Sequence, residues 1–372
     1  MLRPALILCS AKKEKLIDTK RNESQTEVRR TDVRLCVMPR PQLIVCAGED
    51  LFASFFLPEQ QRRLSRLFRW SRDGSRTLTP GLRRKLTTAD ALITTWDSPH
   101  FSDDLAQLAP KLRIIAHCGG EVKSRFGLSL FDNLTITAAP VPMARATAEL
   151  GAALLVYSAR NLDFYRDQMR QRSNRIYDDL HLHGSTESMV GREVAMIGFG
   201  RIGRALVDLL RGFDLQWLVY DPFVPRSLTR NYPVRLTNLD SLLRHAHLLV
   251  LTAALTDKTR GLLSRDRLAR LPDGSVVINI ARGGLIDLAA LTNEVRSGRL
   301  RCALDVTDPL EPLPIGHSLR TLPGAIVTPH IAASNRRVRH DIADTVMNDL
   351  ERFFKGHGVE NRVTRAMLER MT

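Results

Sequence analysis

The sequence predicts an α/β protein whose sheets are largely parallel, and two observations lead to that prediction. Short apolar runs alternate with amphipathic stretches in two series, one from residue 42 to 138 and the other from 193 to 331. Between them, residues 143–171 are rich in alanine and leucine and contain no proline. Strands that alternate with helices build parallel sheets, and an uninterrupted helix of that length suits a connection between two domains.

The elements follow in chain order from the same patterns. Apolar runs typical of buried strands occur in the first series at residues 43–47, 91–96, 112–118 and 134–138. Amphipathic spacing predicts helical segments at 59–68, 102–108 and, near the end of the chain, 335–354.

Residues 1–40 differ from the rest of the chain. The stretch 11–34 is polar and charged and has no sustained apolar period, which predicts a flexible extension. We expect residues 1–37 to be dispensable for stability and activity, with Met38 in the position of a natural start. The alternative is a basic arm that docks on a partner or on a second subunit.

Composition excludes several classes of protein. No run of about 18 apolar residues occurs, which excludes a membrane-spanning helix. The 55 Lys and Arg exceed the 40 Asp and Glu by 15, but they are scattered and no nucleic-acid-binding motif accompanies them, so we expect no nucleic-acid partner. The five cysteines are far apart and lack metal-ligand spacing, which predicts a reducing cytoplasm, no disulfide framework and no metal site.

The strongest motif is Gly198-x-Gly200-x-x-Gly203. An apolar strand at 194–197 precedes it, and a helix with apolar spacing follows it. In that context Gly198 permits a tight turn, Gly200 leaves room for a diphosphate, and Gly203 lets the helix pack on the strand. The motif therefore predicts a Rossmann-type dinucleotide site with the helix N-terminus facing the diphosphate.

Asp221 stands at the end of the next predicted strand, 21 residues after Gly200. A carboxylate there accepts hydrogen bonds from the ribose hydroxyls and repels a 2′-phosphate, which favours NAD over NADP. No arginine directly follows Asp221, but Arg226 is close enough in sequence to keep NADP as an alternative.

Three polar residues follow strand-like runs in the second series. Arg282, Glu311 and His330 come after the runs 275–280, 303–306 and 327–329. Ligands bind at the carboxyl ends of parallel strands, and arginine there is suited to gripping a carboxylate with two hydrogen bonds. All three residues follow strands and lie downstream of a dinucleotide motif, which indicates that they act together in catalysis.

Together the motifs resemble the D-isomer-specific 2-hydroxyacid dehydrogenase family. The matching segments are 198–203, 220–222, 255–261, 278–287, 304–306, 311–312 and 328–331. The resemblance implies two Rossmann-like domains. It also implies a homodimer that forms through the NAD-binding domain. A flavodoxin-like substrate-binding domain would come from both chain ends (41–143 and 332–372), and an NAD-binding Rossmann domain (144–331) would be inserted in it.

The resemblance also implies an NAD-dependent exchange between a small D-2-hydroxy acid and its 2-keto acid. It assigns Arg282 to the substrate carboxylate and carbonyl, His330 to the proton, and Glu311 to a pair with His330. The residues implied to bind the cofactor are Gly198, Gly200, Arg201, Ile202, Gly203, Asp221, Ala281 and Asp305. Those implied to bind the substrate are Gly119, Gly120 and Arg282.

Departures from the family pattern leave alternatives open. The segment 305–311 is one residue longer than usual and 300–303 one residue shorter, so Asp308 is an alternative partner for His330. The glycine-rich turn at 117–123 differs from the family after Gly120, which leaves the substrate open. The alternative functions are a non-catalytic, NAD-sensing protein of corepressor type and, with less support, direct nucleic-acid binding.

Overall fold

The computed structural model describes residues 39–171, His181 and 188–371 of the chain. The predicted extension at 1–40 therefore lies almost entirely outside the described residues. Strands and helices fill the described part in alternation, and its strands form two sheets. Among the described residues, no helix combines the length and the apolar character needed to cross a bilayer.

The first sheet has the strand order β13-β5-β4-β3-β1-β2 and is parallel except for β13, which pairs antiparallel with β5. Its strands are β1 (Gln42–Cys46), β2 (Arg69–Asp73), β3 (Ala91–Thr94), β4 (Ile114–His117), β5 (Thr135–Thr137) and β13 (Arg362–Val363). The helices of this part are α1 (Glu49–Phe55), α2 (Pro58–Leu67), α3 (Pro80–Leu86), α4 (Leu105–Leu108), α5 (Leu130–Asn133) and α13 (Arg336–Phe354).

The second sheet has the order β12-β11-β10-β9-β6-β7-β8, and all its strands are parallel. They are β6 (Glu193–Ile197), β7 (Gln216–Tyr220), β8 (Val234–Leu236), β9 (Leu248–Leu251), β10 (Val276–Asn279), β11 (Arg301–Leu304) and β12 (Ala325–Val327). Its helices are α8 (Arg201–Leu209), α9 (Arg226–Thr229), α10 (Leu239–His245), α11 (Arg265–Leu268) and α12 (Leu288–Arg296).

Two further helices join the sheets, α6 (Pro140–Ala159) and α7 (Leu162–Gln171). The central strands are buried along their whole length because helices cover both faces of each sheet. In the second sheet the strand order reverses at β6, between β7 and β9. Ligands of such sheets bind outside the carboxyl ends of the strands at that point, which is where the glycine motif lies.

The predicted fold class of two Rossmann-like α/β domains is confirmed. Both chain ends contribute to the first sheet, since α13 packs on β4 and β13 extends the edge at β5. The predicted domain boundary at residues 143 and 144 falls inside α6 and stays a prediction. Strand β2 was absent from the predicted elements because its five residues, RWSRD, carry three charges and follow no apolar pattern.

The predicted uninterrupted helix at 143–171 is wrong. The helix begins earlier, at Pro140, and ends at Ala159, and the next helix begins at Leu162. Between them Asn161 has a φ of 51°, a left-handed conformation that a helix does not tolerate. Arg301, which is distant in sequence on strand β11, contacts the Asn161 amide oxygen and so holds this break in place.

Arg301 fixes this corner through a buried ion pair. Its Nη2 donates to the Ser158 carbonyl at 3.1 Å and to Asp163 Oδ1 at 2.9 Å, and Asp163 is only 5% exposed. A carboxylate buried to that extent needs its cation, because removal of one partner leaves an uncompensated charge. The corner between α6 and α7 therefore depends on one arginine of the second sheet.

We predict that Arg301→Met lowers the free energy of unfolding by about 2–4 kcal/mol, since Asp163 then stays buried without a partner. The matched control is Arg235→Met, whose ion pair with Glu193 is exposed and contributes roughly 0–1 kcal/mol. Urea unfolding of both variants checks this. Equal losses in the two variants would contradict the assigned role of Arg301.

Candidate active site

The glycine loop follows β6 and has the conformation that its glycines require. Gly198 has a φ of +93°, and a Cβ there would lie 2.5 Å from the Ala253 nitrogen. At Gly203 a Cβ would lie 2.8 Å from Met196 Sδ, so this glycine lets α8 pack closely on β6. Both positions therefore exclude a side chain. At Gly198 the backbone conformation and the lack of space both exclude it, and at Gly203 the lack of space does.

Gly200 differs from the other two glycines because a Cβ there would meet no atom within 4 Å. It is the N-cap of α8 and makes no side-chain cap hydrogen bond. Arg201 and Ile202 form the first turn, whose N–H groups point out of the helix end. Open space beside bare backbone at a helix N-terminus fits the diphosphate of a dinucleotide.

Asp221 directly follows β7 and is tied to the glycine loop. Its Oδ2 accepts the Phe199 N–H at 2.7 Å, and its Oδ1 accepts the Phe223 N–H at 2.9 Å. Each carboxylate oxygen keeps a second acceptor site, so the group still fits a ribose diol. Asp221 therefore both braces the loop and offers a negative charge at the end of β7.

Arg282 lies just past β10 and is half-buried. Its Nη1 donates to the Ala281 carbonyl at 2.8 Å, and the buried Asn279 fixes the bend by bonding the Ala281 N–H and the Arg282 carbonyl. Burial lowers the pKa of Arg282, and the charges of Glu121 and Glu311 oppose that change. Sequence reasoning did not identify Asn279 as a site residue. A single amide side chain at the end of an apolar run could have indicated that role.

The structure brings Glu311, and not Asp308, to His330. The distance from His330 Nδ1 to Glu311 Oε2 is 2.9 Å, and Glu311 Oε1 accepts the Thr307 N–H at 3.1 Å. Asp308 instead pairs with Arg260 at 3.2 Å. Since a carboxylate only accepts, Nδ1 carries a proton in this contact and Nε2 is the ring nitrogen left for a substrate.

Asp305 lies beneath the segment that carries His330 and is 1% exposed. Its carboxylate accepts three hydrogen bonds, from Thr328 Oγ1 at 2.6 Å and from the N–H groups of Ile331 and Ala332 at 2.9 and 3.0 Å. Its carbonyl also accepts the His330 N–H at 2.8 Å. Asp305 thus anchors the histidine segment, and its implied contact to a cofactor stays a prediction.

The glycine turn after β4 uses one of its two predicted donors internally. The Gly119 N–H donates to the His117 carbonyl at 2.9 Å, and a Cβ on Gly119 would lie 2.4 Å from His117 Nε2. Gly119 therefore closes the turn over the His117 ring. Within residues 39–171 and 188–371, the N–H groups of Gly120 and Glu121 have no acceptor, so these two donors fit an anion.

His117 is a residue that sequence reasoning missed. Its ring is 1% exposed, and Nδ1 lies 2.9 Å from Thr94 Oγ1. Burial, with a smaller contribution from Arg125, lowers the pKa of His117 to about 3. The imidazole is neutral at physiological pH and supports the glycine turn from below. The neighbouring Cys118 is also buried, which raises the pKa of its thiol and makes it a packing residue.

Comparison with known proteins places the second sheet in a family. Residues 152–332 match the family model described as the NAD-binding domain of D-isomer specific 2-hydroxyacid dehydrogenases. Residues 152–332 of the chain therefore belong to the D-isomer specific 2-hydroxyacid dehydrogenase family. The predictions of this family and of NAD as the cofactor are thereby confirmed. Within the described residues, no group of His, Cys, Asp or Glu side chains is arranged to hold a metal ion.

Relatives in the D-isomer specific 2-hydroxyacid dehydrogenase family extend the match beyond the NAD-binding domain. D-3-phosphoglycerate dehydrogenase of Methanocaldococcus jannaschii is 28% identical over 287 residues, 76% of this chain and 53% of that protein. Glyoxylate reductase of Pyrococcus horikoshii is 29% identical over 294 residues, 77% of this chain and 86% of that one. A crystal structure of a Thermus thermophilus protein has a TM-score of 0.69 at 27% identity, over 87% of this chain and 100% of that chain. The chain thus spans about half the length of the first of these relatives.

We predict that Asp221→Ala weakens NADH binding by about 10- to 100-fold, because charge-assisted hydrogen bonds to the ribose are lost. Binding of NADPH should change less, so the preference for NADH narrows. Titration of nicotinamide fluorescence with both cofactors measures this without turnover. Asp221→Asn is the control, since it keeps an acceptor for the loop N–H. An unmodified protein that binds NADPH as tightly as NADH would contradict the prediction.

Proposed function

We propose that the protein is an NAD-dependent oxidoreductase that interconverts a small D-2-hydroxy acid and its 2-keto acid, with His330 as the acid and base. The observation that carries the proposal is the 2.9 Å contact between His330 and Glu311, within electrostatic range of Arg282. The carboxyl edge of the second sheet holds these residues together with the glycine loop. That edge is the ligand-binding edge of the fold.

The chemistry follows from the three side chains. Arg282 grips the substrate carboxylate and stabilises negative charge that develops on the carbonyl oxygen. NADH held at the glycine loop of Gly198, Gly200 and Gly203 would supply the hydride for the carbonyl carbon. His330 donates its proton from Nε2 to the resulting alkoxide, so that one hydride and one proton complete the hydroxy acid. Glu311 contacts Nδ1 of that ring at 2.9 Å and holds the ring in place, so that Nε2 faces the substrate.

The test is NADH oxidation with a panel of 2-keto acids that includes glyoxylate, hydroxypyruvate and pyruvate. Turnover with at least one of them is the expected result. Tight NADH binding without turnover of any would contradict the proposal and favour the alternative of a non-catalytic NAD-sensing protein.

The proposal also covers assembly and location. We propose a homodimer through the Rossmann domain, supported by Leu162, Phe164 and Met169, which stand exposed on α7. We propose the cytoplasm as the location, supported by the three cysteines of the described residues, all of them free and buried.

His330→Ala should lower kcat by about 10²- to 10⁴-fold while NADH binding stays close to wild type, because proton donation acts in the transition state. The matched control is His245→Ala, an exposed histidine at the end of α10. Steady-state kinetics and NADH titration give the two readouts. Near-normal turnover in His330→Ala would show that the ring has only a structural role.

Glu311→Gln should lower kcat for keto-acid reduction by about 3- to 10-fold, because the charge-assisted contact that holds the His330 ring becomes a weaker neutral one. Binding of NADH should stay close to wild type. Steady-state kinetics and NADH titration measure the two effects. The control is Asp308→Asn, which breaks the pair with Arg260 instead. A loss of kcat in that control and none in Glu311→Gln would pass the role to Asp308.

A further inference from the structure

The first sheet has a ligand-binding edge of its own. Its parallel strands have the order β2-β1-β3-β4-β5, so the order reverses at β1. In open α/β sheets ligands bind outside the carboxyl ends of the strands at that point, which here lies between β1 and β3. The loops that follow these two strands meet there, because Asp97 Oδ2 accepts the Gly48 N–H at 2.9 Å.

A cavity of about 360 Å³ lies at this point. Small-molecule sites commonly have volumes of roughly 300–1,000 Å³, so the cavity is large enough for part of a small ligand. Its lining comes from the loops after β1, β2 and β3 and from the start of α13. The charged residues of that lining are Glu49, Asp50, Arg76, Asp97 and Arg339. The cavity therefore presents both signs of charge.

Arg339 has few partners for a guanidinium at such a place. Its Nη2 donates to Ser334 Oγ at 2.9 Å, its Nε is buried without an acceptor, and it forms no ion pair within the described residues. Its guanidinium carbon lies 5.3 Å from the centre of the Trp96 ring and 5.9 Å from that of Phe55. Aromatic faces hold a guanidinium without using its N–H donors. Arg339 therefore keeps donors for a ligand.

Two contacts connect Arg339 with the proposed substrate site. The Trp96 ring under its guanidinium borders the glycine turn, since a Cβ on Gly119 would lie 3.1 Å from Trp96 Nε1. Ser334 belongs to the segment of His330, and its N–H donates at 2.9 Å to the carbonyl of the residue that follows the histidine. A substrate bound by the turn and the histidine can therefore extend the far end of its chain towards the cavity.

The charges of the cavity distinguish three classes of substrate chain. A hydroxyl group both donates and accepts, so hydroxyls on the chain can donate to Asp97 and accept from Arg339 or Arg76. A second anionic group would meet the arginines but also three carboxylates of the lining, and like charges disfavour a ligand. An apolar chain would displace water from charged groups without replacing their hydrogen bonds, which is unfavourable. A neutral, hydroxylated chain satisfies both signs of charge.

We infer that this cavity binds hydroxyl groups of the substrate, and that Arg339 and Asp97 determine the specificity for them. The substrate is then a 2-hydroxy or 2-keto acid with one carboxylate and with hydroxyl groups along the rest of its chain, which is the chemistry of a sugar acid. This inference rests on the proposed function, because it concerns the far end of the acid whose carboxylate binds at Arg282.

The first experiment compares the binding of three D-2-hydroxy acids with six carbons, so that it does not depend on turnover. D-gluconate carries hydroxyls along its chain, D-2-hydroxyhexanoate carries no further hydroxyl, and D-2-hydroxyadipate ends in a second carboxylate. Each is titrated into the protein–NADH complex and followed by nicotinamide fluorescence. Wild type should bind D-gluconate about 10- to 100-fold more tightly than either of the others, the scale of one hydrogen bond to a charged group.

Two variants test the two side chains. Arg339→Met keeps an unbranched side chain on the Trp96 ring and removes the donors, so it should reduce the preference for D-gluconate over D-2-hydroxyhexanoate by about tenfold or more. Asp97→Asn should reduce that preference by about 3- to 10-fold and should strengthen the binding of D-2-hydroxyadipate, because a negative charge is removed. The matched control is Arg337→Met, an exposed arginine of the same helix that pairs with Asp341, and it should keep the wild-type preference.

The second experiment measures the reduction of NAD with the same three acids. The preference for D-gluconate should lie in KM, because hydrogen bonds to the far end of the chain act on bound substrate and transition state alike. Arg339→Met should raise KM for D-gluconate and leave KM for D-2-hydroxyhexanoate close to wild type. A fall of kcat with all three acids and unchanged KM values would show a structural role for Arg339 and would overturn the inference.

The outcomes separate this inference from the proposed function. No turnover of any acid, together with the predicted differences in binding, rejects the proposed function and keeps the hydroxyl subsite. Turnover without a preference for D-gluconate keeps the function and overturns the inference. Tightest binding of D-2-hydroxyadipate would indicate an anion subsite and tightest binding of D-2-hydroxyhexanoate an apolar one, and either result overturns the inference, as does the binding of none.

The variants add two further outcomes. An unchanged preference in Arg339→Met overturns the inference, as does an equal loss in Arg337→Met. If Arg339→Met or Asp97→Asn does not fold, the wild-type order of binding decides: D-gluconate in first place supports the hydroxyl subsite, and any other order overturns it.

Discussion

A buried carboxylate holds the chain where it passes from the second sheet back to the first. Asp305 is nearly inaccessible to solvent, and a charge so deeply placed is tolerated only when hydrogen bonds surround it. Its acceptors fix Thr328, Ile331 and Ala332, so the segment between β12 and α13 has one conformation. His330 keeps its unfavourable φ of 56° within that segment because both neighbouring stretches are tied down.

The site combines charges that have very different surroundings. Arg282 is half-buried and bonded to its own neighbour, whereas the pair of His330 and Glu311 stands in contact with solvent. His117 sits in the apolar interior below and stays neutral, so it adds no charge to the turn that it supports. In the proposed reaction only His330 therefore transfers a proton. His117 supports the conformation of the glycine turn.

Sequence patterns predicted the parts of this structure that local chemistry determines. Apolar runs identified the central strands because both faces of those strands are buried, and the glycine motif identified the dinucleotide loop because backbone conformation allows nothing else there. Edge strand β2 has one neighbour and a polar sequence, so no periodic signal existed. The break at Asn161 is held by Arg301, 140 positions away, and sequence spacing does not show that contact. The local signal was Asn161 itself, because asparagine tolerates the left-handed conformation at the end of a helix.

The site, like the fold, could be predicted from sequence only where local chemistry determines it. Arg282, Glu311 and His330 follow strands, and parallel strands bring their carboxyl ends together, so their proximity was predictable. The choice between Glu311 and Asp308 depends on the path of a loop with an inserted residue, which sequence spacing does not determine. The sequence also could not show that the Gly119 N–H bonds to the His117 carbonyl within the turn. A glycine N–H can equally bind an anion, so the residue type does not distinguish the two cases.

The return of the chain to its first sheet has a consequence for synthesis. Strands β1 to β5 emerge from the ribosome early, but α13, whose Val338, Ile342 and Val346 pack into that core, emerges after the entire second sheet. At roughly 5–20 residues per second, the apolar face of the first sheet waits on the order of ten to forty seconds for its cover. During that interval the nascent chain presents an open hydrophobic surface beside a second sheet that is still being made, which is the condition under which chaperones bind.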